Sequence, residues 1–314
     1  MKLCVLFVVS CLAYQIRSQD VDVCHVYGDP HLIPFSQVSQ LNQNGYWCKL
    51  SGEQQIVRNN FVEIKVNMHE GVWSIDKYTV TFFDNDKVLC KVTDHEQVCD
   101  SQAVRITRPS LTHIEMFYSI PELYISIVPY EYPYKWYDIS ILMPNELVRQ
   151  SNGLCVAPSV DKCIVENEIL SENSIPPMYK KMCEVYQTAG DEAKLSLNLP
   201  VDHSVRNHTL LACIHDIHNT NNVDFGASMV NTMVKDGIFK EYSNDSMYQF
   251  QVVESTIIID RVIRTASITA NAIFSTTTSV TTTDSTSQAT PNGSLPVRLV
   301  SWTLNVCLVL LLIK

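Results

Sequence analysis

The sequence predicts a mainly β chain: a β-sandwich followed by a small helical region held by disulfides. Three observations carry this prediction. Short alternating or β-branched runs recur across residues 44–143, separated by turn residues. Beyond residue 165 the hydrophobic period changes from 2 to 3.6. Of 11 cysteines, eight lie between two ends that read as processing signals, and an even number in a secreted chain implies a disulfide framework.

Residues 1–18 read as a secretory signal peptide, with Lys2 as the positive start, residues 3–12 as the apolar core, and Ala13 and Ser18 as small cleavage positions. That apolar run is too short to span a bilayer. Residues 61–66 then alternate, with Val62, Ile64 and Val66 on one face and Phe61, Glu63 and Lys65 on the other. Residues 72–83 carry Trp73, Ile75, Tyr78, Val80 and Phe82. Asp84-Asn85-Asp86 turns the chain into a return strand over 87–92, which makes a hairpin. Residues 104–107, 112–118, 123–128 and 136–142 continue the series. The aromatic run Tyr130, Tyr132, Tyr134, Trp136 and Tyr137 suits core packing somewhat better than an exposed contact patch, although Tyr and Trp are also frequent binding anchors.

The helical region spans 165–243. Helices are expected over 178–187 around Cys183, over 204–218 with Leu210, Leu211, Ile214 and Ile217 on one face, and over 225–239 with Met229, Val230, Met233 and Val234. Cys183 and Cys213 are expected to staple this region to the sandwich. Residues 252–259 read as a strand, followed by an extended stalk that leads into a Ser/Thr-rich tract at 276–290.

The C-terminal end has the layout of a glycosylphosphatidylinositol (GPI) signal: small residues Asn292-Gly293-Ser294, a spacer with Arg298, and an apolar run over 303–313. A single-pass helix fits less well, because that run is short and Asn305 interrupts it. The expected organisation is therefore a signal peptide (1–18), a β domain (19–164), a helical part (165–243), a stalk (244–292) and an anchor propeptide (293–314). Asn292 is the expected attachment residue, and the chain is expected at the outer face of the plasma membrane. Sequons place N-glycans at Asn207 and Asn244, with Asn292 already taken by the lipid.

The eight cysteines of the retained chain are Cys24, Cys48, Cys90, Cys99, Cys155, Cys163, Cys183 and Cys213. A zinc cluster is a poor alternative, because no Cys-x-x-Cys is present and the compartment is oxidising. Cys90 and Cys99 suit a local bridge across a hairpin, contributing about 2.7 kcal/mol on loop entropy. The two discarded ends hold four basic residues and no acids, so the retained chain is more acidic than the −10 of the whole sequence. So acidic a chain is a poor binder of nucleic acid, whose phosphates need Lys and Arg, and it favours basic protein partners.

The chemistry concentrates at Cys24-His25-Val26-Tyr27-Gly28-Asp29-Pro30-His31. Gly28 permits positive φ, and Asp29 and Pro30 are turn formers, so a plain turn is one reading. The other is self-cleavage. The Asp29 carboxylate lies within intramolecular reach of the carbonyl it shares with Pro30, the leaving nitrogen belongs to a tertiary amide, and His25 or His31 could supply its proton. His215, Asp216 and His218 could suggest a metal, but a solvated helix end is the better expectation, and no metal or cofactor is expected. No Gly-x-Ser-x-Gly, His-Glu-x-x-His, phosphate loop or dinucleotide fingerprint occurs, so no turnover enzyme is expected.

The Cys24 to His31 stretch resembles the start of von Willebrand factor type D domains, and Asn152-Gly153-Leu154-Cys155 resembles the Gly-Leu-Cys that closes them. Asn59-Asn60-Phe61-Val62, then Leu211-Ala212-Cys213-Ile214-His215-Asp216 and Val223-Asp224-Phe225, resemble repulsive guidance molecules, the family that includes hemojuvelin. The matches run in order over about residues 24–243. The resemblance implies a type D-like sandwich, a self-cleaving Asp29-Pro30 bond flanked by Gly28 and His31, and a distant partner for Cys24, either Cys155 or Cys163. A calcium site of the mucin kind is not expected, because residues 156–161 lack the needed oxygen ligands. It also implies a lipid-anchored co-receptor that binds a neogenin/DCC-type receptor and promotes bone morphogenetic protein (BMP) signalling, directly or indirectly. The family's receptor contacts fall on 53–73, with Glu53, Arg58, Asn60 and Trp73 as candidates. Only residues 19–23 precede Cys24, so the family's N-terminal growth-factor domain is expected to be missing. A guidance ligand of the same receptor and an adhesive type D module are the alternatives.

Overall fold

The computed structural model describes residues 21–36, 45–69, 74–110, 113–131, 135–159, 161–165, 175–241 and 245–283. Both processing signals, Trp73, Tyr132, Tyr134, Asn244 and Asn292 lie outside them. The strands are β1 (Val21–Tyr27), β2 (His31–Ile33), β3 (Tyr46–Cys48), β4 (Gly52–Arg58), β5 (Val62–Met68), β6 (Ile75–Asp84), β7 (Lys87–Thr93), β8 (Gln97–Cys99), β9 (Val104–Ser110), β10 (His113–Tyr118), β11 (Leu123–Tyr130), β12 (Trp136–Pro144) and β13 (Cys163–Val165). The helices are α1 (Asn145–Arg149), α2 (Pro177–Ser196), α3 (His203–Thr220), α4 (Phe225–Glu241) and α5 (Asp245–Thr283).

The chain is mainly β, as expected. An eight-stranded antiparallel sheet has the order β13-β3-β2-β1-β12-β11-β10-β9, and a five-stranded one runs β4 to β8 in sequence. β5 keeps the predicted alternation: Val62, Ile64, Val66 and Met68 are buried, and the residues between them are half-exposed. The β6–β7 hairpin turns at Asn85 and Asp86, both at positive φ, as a two-residue connection between twisted strands requires. One core is shared by the two sheets and joins Ile64, Val80 and Phe82 to Ile125, Ile139 and Ile141. Across it, the Tyr78 and Tyr137 rings meet edge to face with centroids 4.9 Å apart.

β12 is buried at all nine positions because both of its faces are covered. The second covering layer is helical. Tyr124, Trp136 and Leu142 of the large sheet pack with Met182, Tyr186, Phe225, Met229 and Val230. Trp136 stacks between Tyr130 (4.8 Å) and Phe225 (4.9 Å), so the described part of the aromatic run is packing material. α4 lies at the centre of this layer and is buried from Phe225 to Phe239. Its polar residues therefore need partners. Lys235 Nζ donates to Glu115 Oε1 at 2.8 Å, and Asn231 donates to the Tyr130 hydroxyl at 2.8 Å.

Two expectations are corrected here. Cys183 and Cys213 do not tie the helices to the sandwich: they pair with each other and join α2 to α3. Hydrophobic burial attaches the helical layer to the sheet instead. Residues 252–259 are not a strand, nor is the segment to 283 an extended stalk, since both lie in α5. Ile259, Ala266 and Ala270 are buried in the helical core, and Ile263 and Phe274 flank them at helical spacing. The local β-branched bias of Ile257, Ile258 and Ile259 loses to this packing, because most helical stability comes from an amphipathic face finding a partner. The described residues form one compact unit to Thr276, and α5 runs on to Thr283.

The remaining disulfides are Cys24–Cys155, Cys48–Cys163 and Cys90–Cys99. Of the two partners open to Cys24, the fold takes Cys155. β13 pairs with β3 so that Cys163 stands directly opposite Cys48.

Candidate functional site: the Gly28–His31 turn

β1 and β2 form a tight hairpin with Tyr27 opposite His31, and Gly28, Asp29 and Pro30 make its turn. Gly28 has φ +61°, a conformation that costs an L side chain about 1–2 kcal/mol. A Cβ there would also collide with Asp216 Oδ2. The turn therefore needs glycine for its backbone and for space.

The turn is buried under the helical layer, and Asp29 is only 3% exposed. Two distant carboxylates grip its backbone. Gly28 N donates to Asp138 Oδ1 at 3.0 Å, and Asp29 N donates to Asp216 Oδ2 at 3.4 Å. Asp138 comes from β12, the neighbour of β1, and Asp216 from α3. The other oxygen of Asp216 lies 2.7 Å from His31 Nε2 and 3.6 Å from His215 Nδ1. Trp47 closes the far side, its ring 4.8 Å from that of His215. The backbone carbonyl of Pro30 accepts from Cys48 N at 3.1 Å, which fixes the residue after the candidate scissile bond.

These contacts split the acids into two kinds. Burial drives the Asp29 carboxyl up to about 8, and the Asp216 charge adds to the rise while His31 opposes it. Burial also lifts Asp138 to about 7, against the Gly28 N–H bond that favours its charged form. For Asp216, burial acts upward, but the charges and hydrogen bonds of His31 and His215 outweigh it and hold it below the usual carboxylate range. Near neutral pH the site thus holds a protonated Asp29 beside an ionised Asp216. Asp29 Oδ1 is buried and has no hydrogen-bond partner among the described residues.

Of the two candidate proton donors, the fold brings only His31 to this cluster. His25 is committed elsewhere: Nδ1 meets Ser140 Oγ at 2.8 Å, Nε2 lies 3.5 Å from Asp236, and burial lowers its pKa. The expectation of a solvated helix end at His215–His218 is corrected. His215 and Asp216 are buried under the turn, and Asp216 is 2% exposed. Only His218 lies outside the cluster, edge-on to Tyr179. Sequence reasoning did not anticipate Asp138 or Trp47 at the site. No local signal marks either, since Asp138 reaches Gly28 only through strand pairing.

The receptor-contact candidates sit apart from the turn. Glu53 and Arg58 are exposed on β4, an edge strand, and Asn60 is exposed in the turn before β5. Arg58 pairs with Glu63 at 2.6 Å and Lys65 with Glu53 at 3.1 Å, which makes a charged outer face on β4 and β5. Asn207 is exposed on α3, as a glycan requires. Among the described residues, no helix is long and apolar enough to cross a membrane. The sequence matches no protein-family model and no curated protein.

Proposed function

We propose that this chain is an extracellular module that cleaves its own Asp29–Pro30 bond and stays in one piece through Cys24–Cys155. We propose further that it serves at the cell surface as a GPI-anchored co-receptor of the repulsive guidance molecule type. One observation carries the reading. The Gly-Asp-Pro-His turn and the Ala-Cys-Ile-His-Asp helix carry the resemblance independently, yet they meet at one buried carboxylate, Asp216, which bonds both His31 and the Asp29 N–H. A mere turn does not call for a buried, protonated Asp29 against an ionised Asp216.

The cleavage balances as follows. An Asp29 carboxyl oxygen attacks the carbonyl carbon of the same residue, with proximity in place of a second reactant. The C–N bond to Pro30 breaks, and the Pro30 nitrogen takes a proton, either from Asp29 itself or relayed by His31. A five-membered anhydride remains at Asp29, and water opens it to two carboxyl groups. Asp138 and Asp216 hold the turn through Gly28 N and Asp29 N. The piece ending at Asp29 contains Cys24, so the disulfide to Cys155 retains it.

The partner reading rests on the resemblance and on the exposed charged face of β4 and β5, where Glu53, Arg58 and Asn60 sit. A neogenin/DCC-type receptor is the proposed partner, and promotion of BMP-type signalling the proposed outcome. The test immobilises the secreted protein and titrates the ectodomain of such a receptor, then a BMP-type ligand. Receptor binding that Arg58→Glu weakens at least tenfold is expected. Binding of neither probe overturns the co-receptor reading in favour of an adhesive module.

A further inference from the structure

We propose that His31, His215 and Asp216 form a binding site for a divalent transition metal of the zinc class, and that the bound ion holds the Gly28–His31 turn in its uncleaved form. The three side chains come from β2 and α3, and one ligand atom from each lies within 4.8 Å of the others. Two imidazoles and one carboxylate are the borderline donor set that suits zinc rather than calcium. Zinc–ligand bonds of about 2.0–2.2 Å in a tetrahedron set neighbouring ligand atoms about 3.3 Å apart. The separations from Asp216 Oδ1, 2.7 Å to His31 Nε2 and 3.6 Å to His215 Nδ1, bracket that value. The widest separation in the cluster reaches 4.8 Å, so rotations that draw the two imidazoles together would admit an ion.

Charge and surroundings point the same way. Asp29, Asp138 and Asp216 are all buried about one turn, and no lysine or arginine is paired with any of them among the described residues. Asp216 is a buried carboxylate whose ion-pair partners among the described residues are the two imidazoles, and a divalent cation held by all three would compensate its charge. An outer partner is also in place. Asn219 lies 2.9 Å from His215 Nε2, and its amide, turned over, would accept from Nε2–H while Nδ1 faces the ion. Asp29 borders the cluster through its N–H bond to Asp216 Oδ2, and its Oδ1 has no hydrogen-bond partner among the described residues.

Binding would replace the proton on His31 Nε2 with the metal and release that proton to solvent. His31 could then no longer relay a proton to Pro30, and Asp216 would be fixed. This effect on cleavage rests on the self-cleavage reading, whereas metal binding itself does not. The experiment separates the two. The full secreted chain carrying Asp29→Asn, which cannot cleave, is purified without chelator and titrated with Co2+ and then Zn2+. One equivalent is expected, with tetrahedral cobalt absorption displaced by zinc and a zinc Kd in the micromolar range or tighter. His215→Ala should weaken zinc at least 100-fold, and His218→Ala should leave it unchanged. A correctly folded Asp29→Asn chain that takes up no cobalt or zinc overturns the site, whatever its parent does. If His215→Ala fails to fold, zinc-dependent elevation of Tm in the Asp29→Asn chain serves instead, and its absence is equally fatal. In the parent chain, zinc should slow appearance of the Pro30 terminus at least tenfold, and a chelator should restore it. Zinc binding with unchanged cleavage would remove the inhibitory role and keep the site.

Discussion

Replacing Gly28 with alanine tests the site most directly, because two independent costs meet there. The residue's φ of +61° costs a side chain about 1–2 kcal/mol. The new methyl would also collide with Asp216 Oδ2 and approach His31 Cδ2 to 3.3 Å. Asp216 can retreat only by loosening its 2.7 Å bond to His31, a buried charged hydrogen bond worth about 1.5–3 kcal/mol. Together the expected destabilisation is about 3–5 kcal/mol. In a domain of this size, where about 1 kcal/mol moves Tm by about 2–4 °C, that is roughly 6–20 °C. Thermal melting of the secreted protein reads the stability. N-terminal sequencing or intact mass after reduction reads the cleavage, which should fall at least 100-fold as the turn shifts away from its carboxylate grips. A double-mutant cycle adds specificity: in an Asp216→Ala background the same substitution should cost at least about 1.5 kcal/mol less, since the colliding oxygen is gone. A Tm change under about 2 °C with cleavage unaffected would refute the reasoning that Gly28 is pinned against Asp216.

Four further outcomes follow from the same geometry. The cleavage rate should be flat at mildly acidic to neutral pH and fall about tenfold per unit above pH 8. Asp29 keeps its proton up to about 8 and loses it beyond, and the proton is what the Pro30 nitrogen needs; a rate that climbs above pH 8 would contradict this. Cleaved protein should gain the mass of one water yet separate into two pieces only on reduction, and Cys24→Ser with Cys155→Ser should cost about 5 kcal/mol in chemical denaturation, as a 131-residue separation implies. Lys235→Met should cost about 3–5 kcal/mol by stranding Glu115, while adding Glu115→Leu should restore most of it, as read by urea midpoints. Ala270→Glu, at a fully buried position of α5, should cost at least about 3 kcal/mol, whereas Ile268→Glu, 73% exposed two residues earlier, should change the melt little; equal effects would mean that α5 is not docked as described.

The sequence by itself determined seven of the strands, β5 to β7 and β9 to β12, the β6–β7 hairpin, and the three helices α2 to α4. Each rests on local periodicity: Val62, Ile64 and Val66 alternate because one face of β5 meets the core, and Asp84-Asn85-Asp86 turns because those residues tolerate positive φ. The Gly28–His31 turn was legible for the same local reason. Tertiary structure alone decided which partners that turn meets. Asp138 arrives through strand pairing and Asp216 through helix docking, and neither has a signature in its own neighbourhood. The same holds for the disulfides, where pairing of β3 with β13 sets Cys48 against Cys163, and for α5, where a buried stripe from Ile259 to Ala270 overrides β-branched propensity. Local chemistry fixes what a segment can become, but burial between distant segments keeps the proton on Asp29, and that proton is what makes an ordinary Asp-Pro turn a candidate for chemistry.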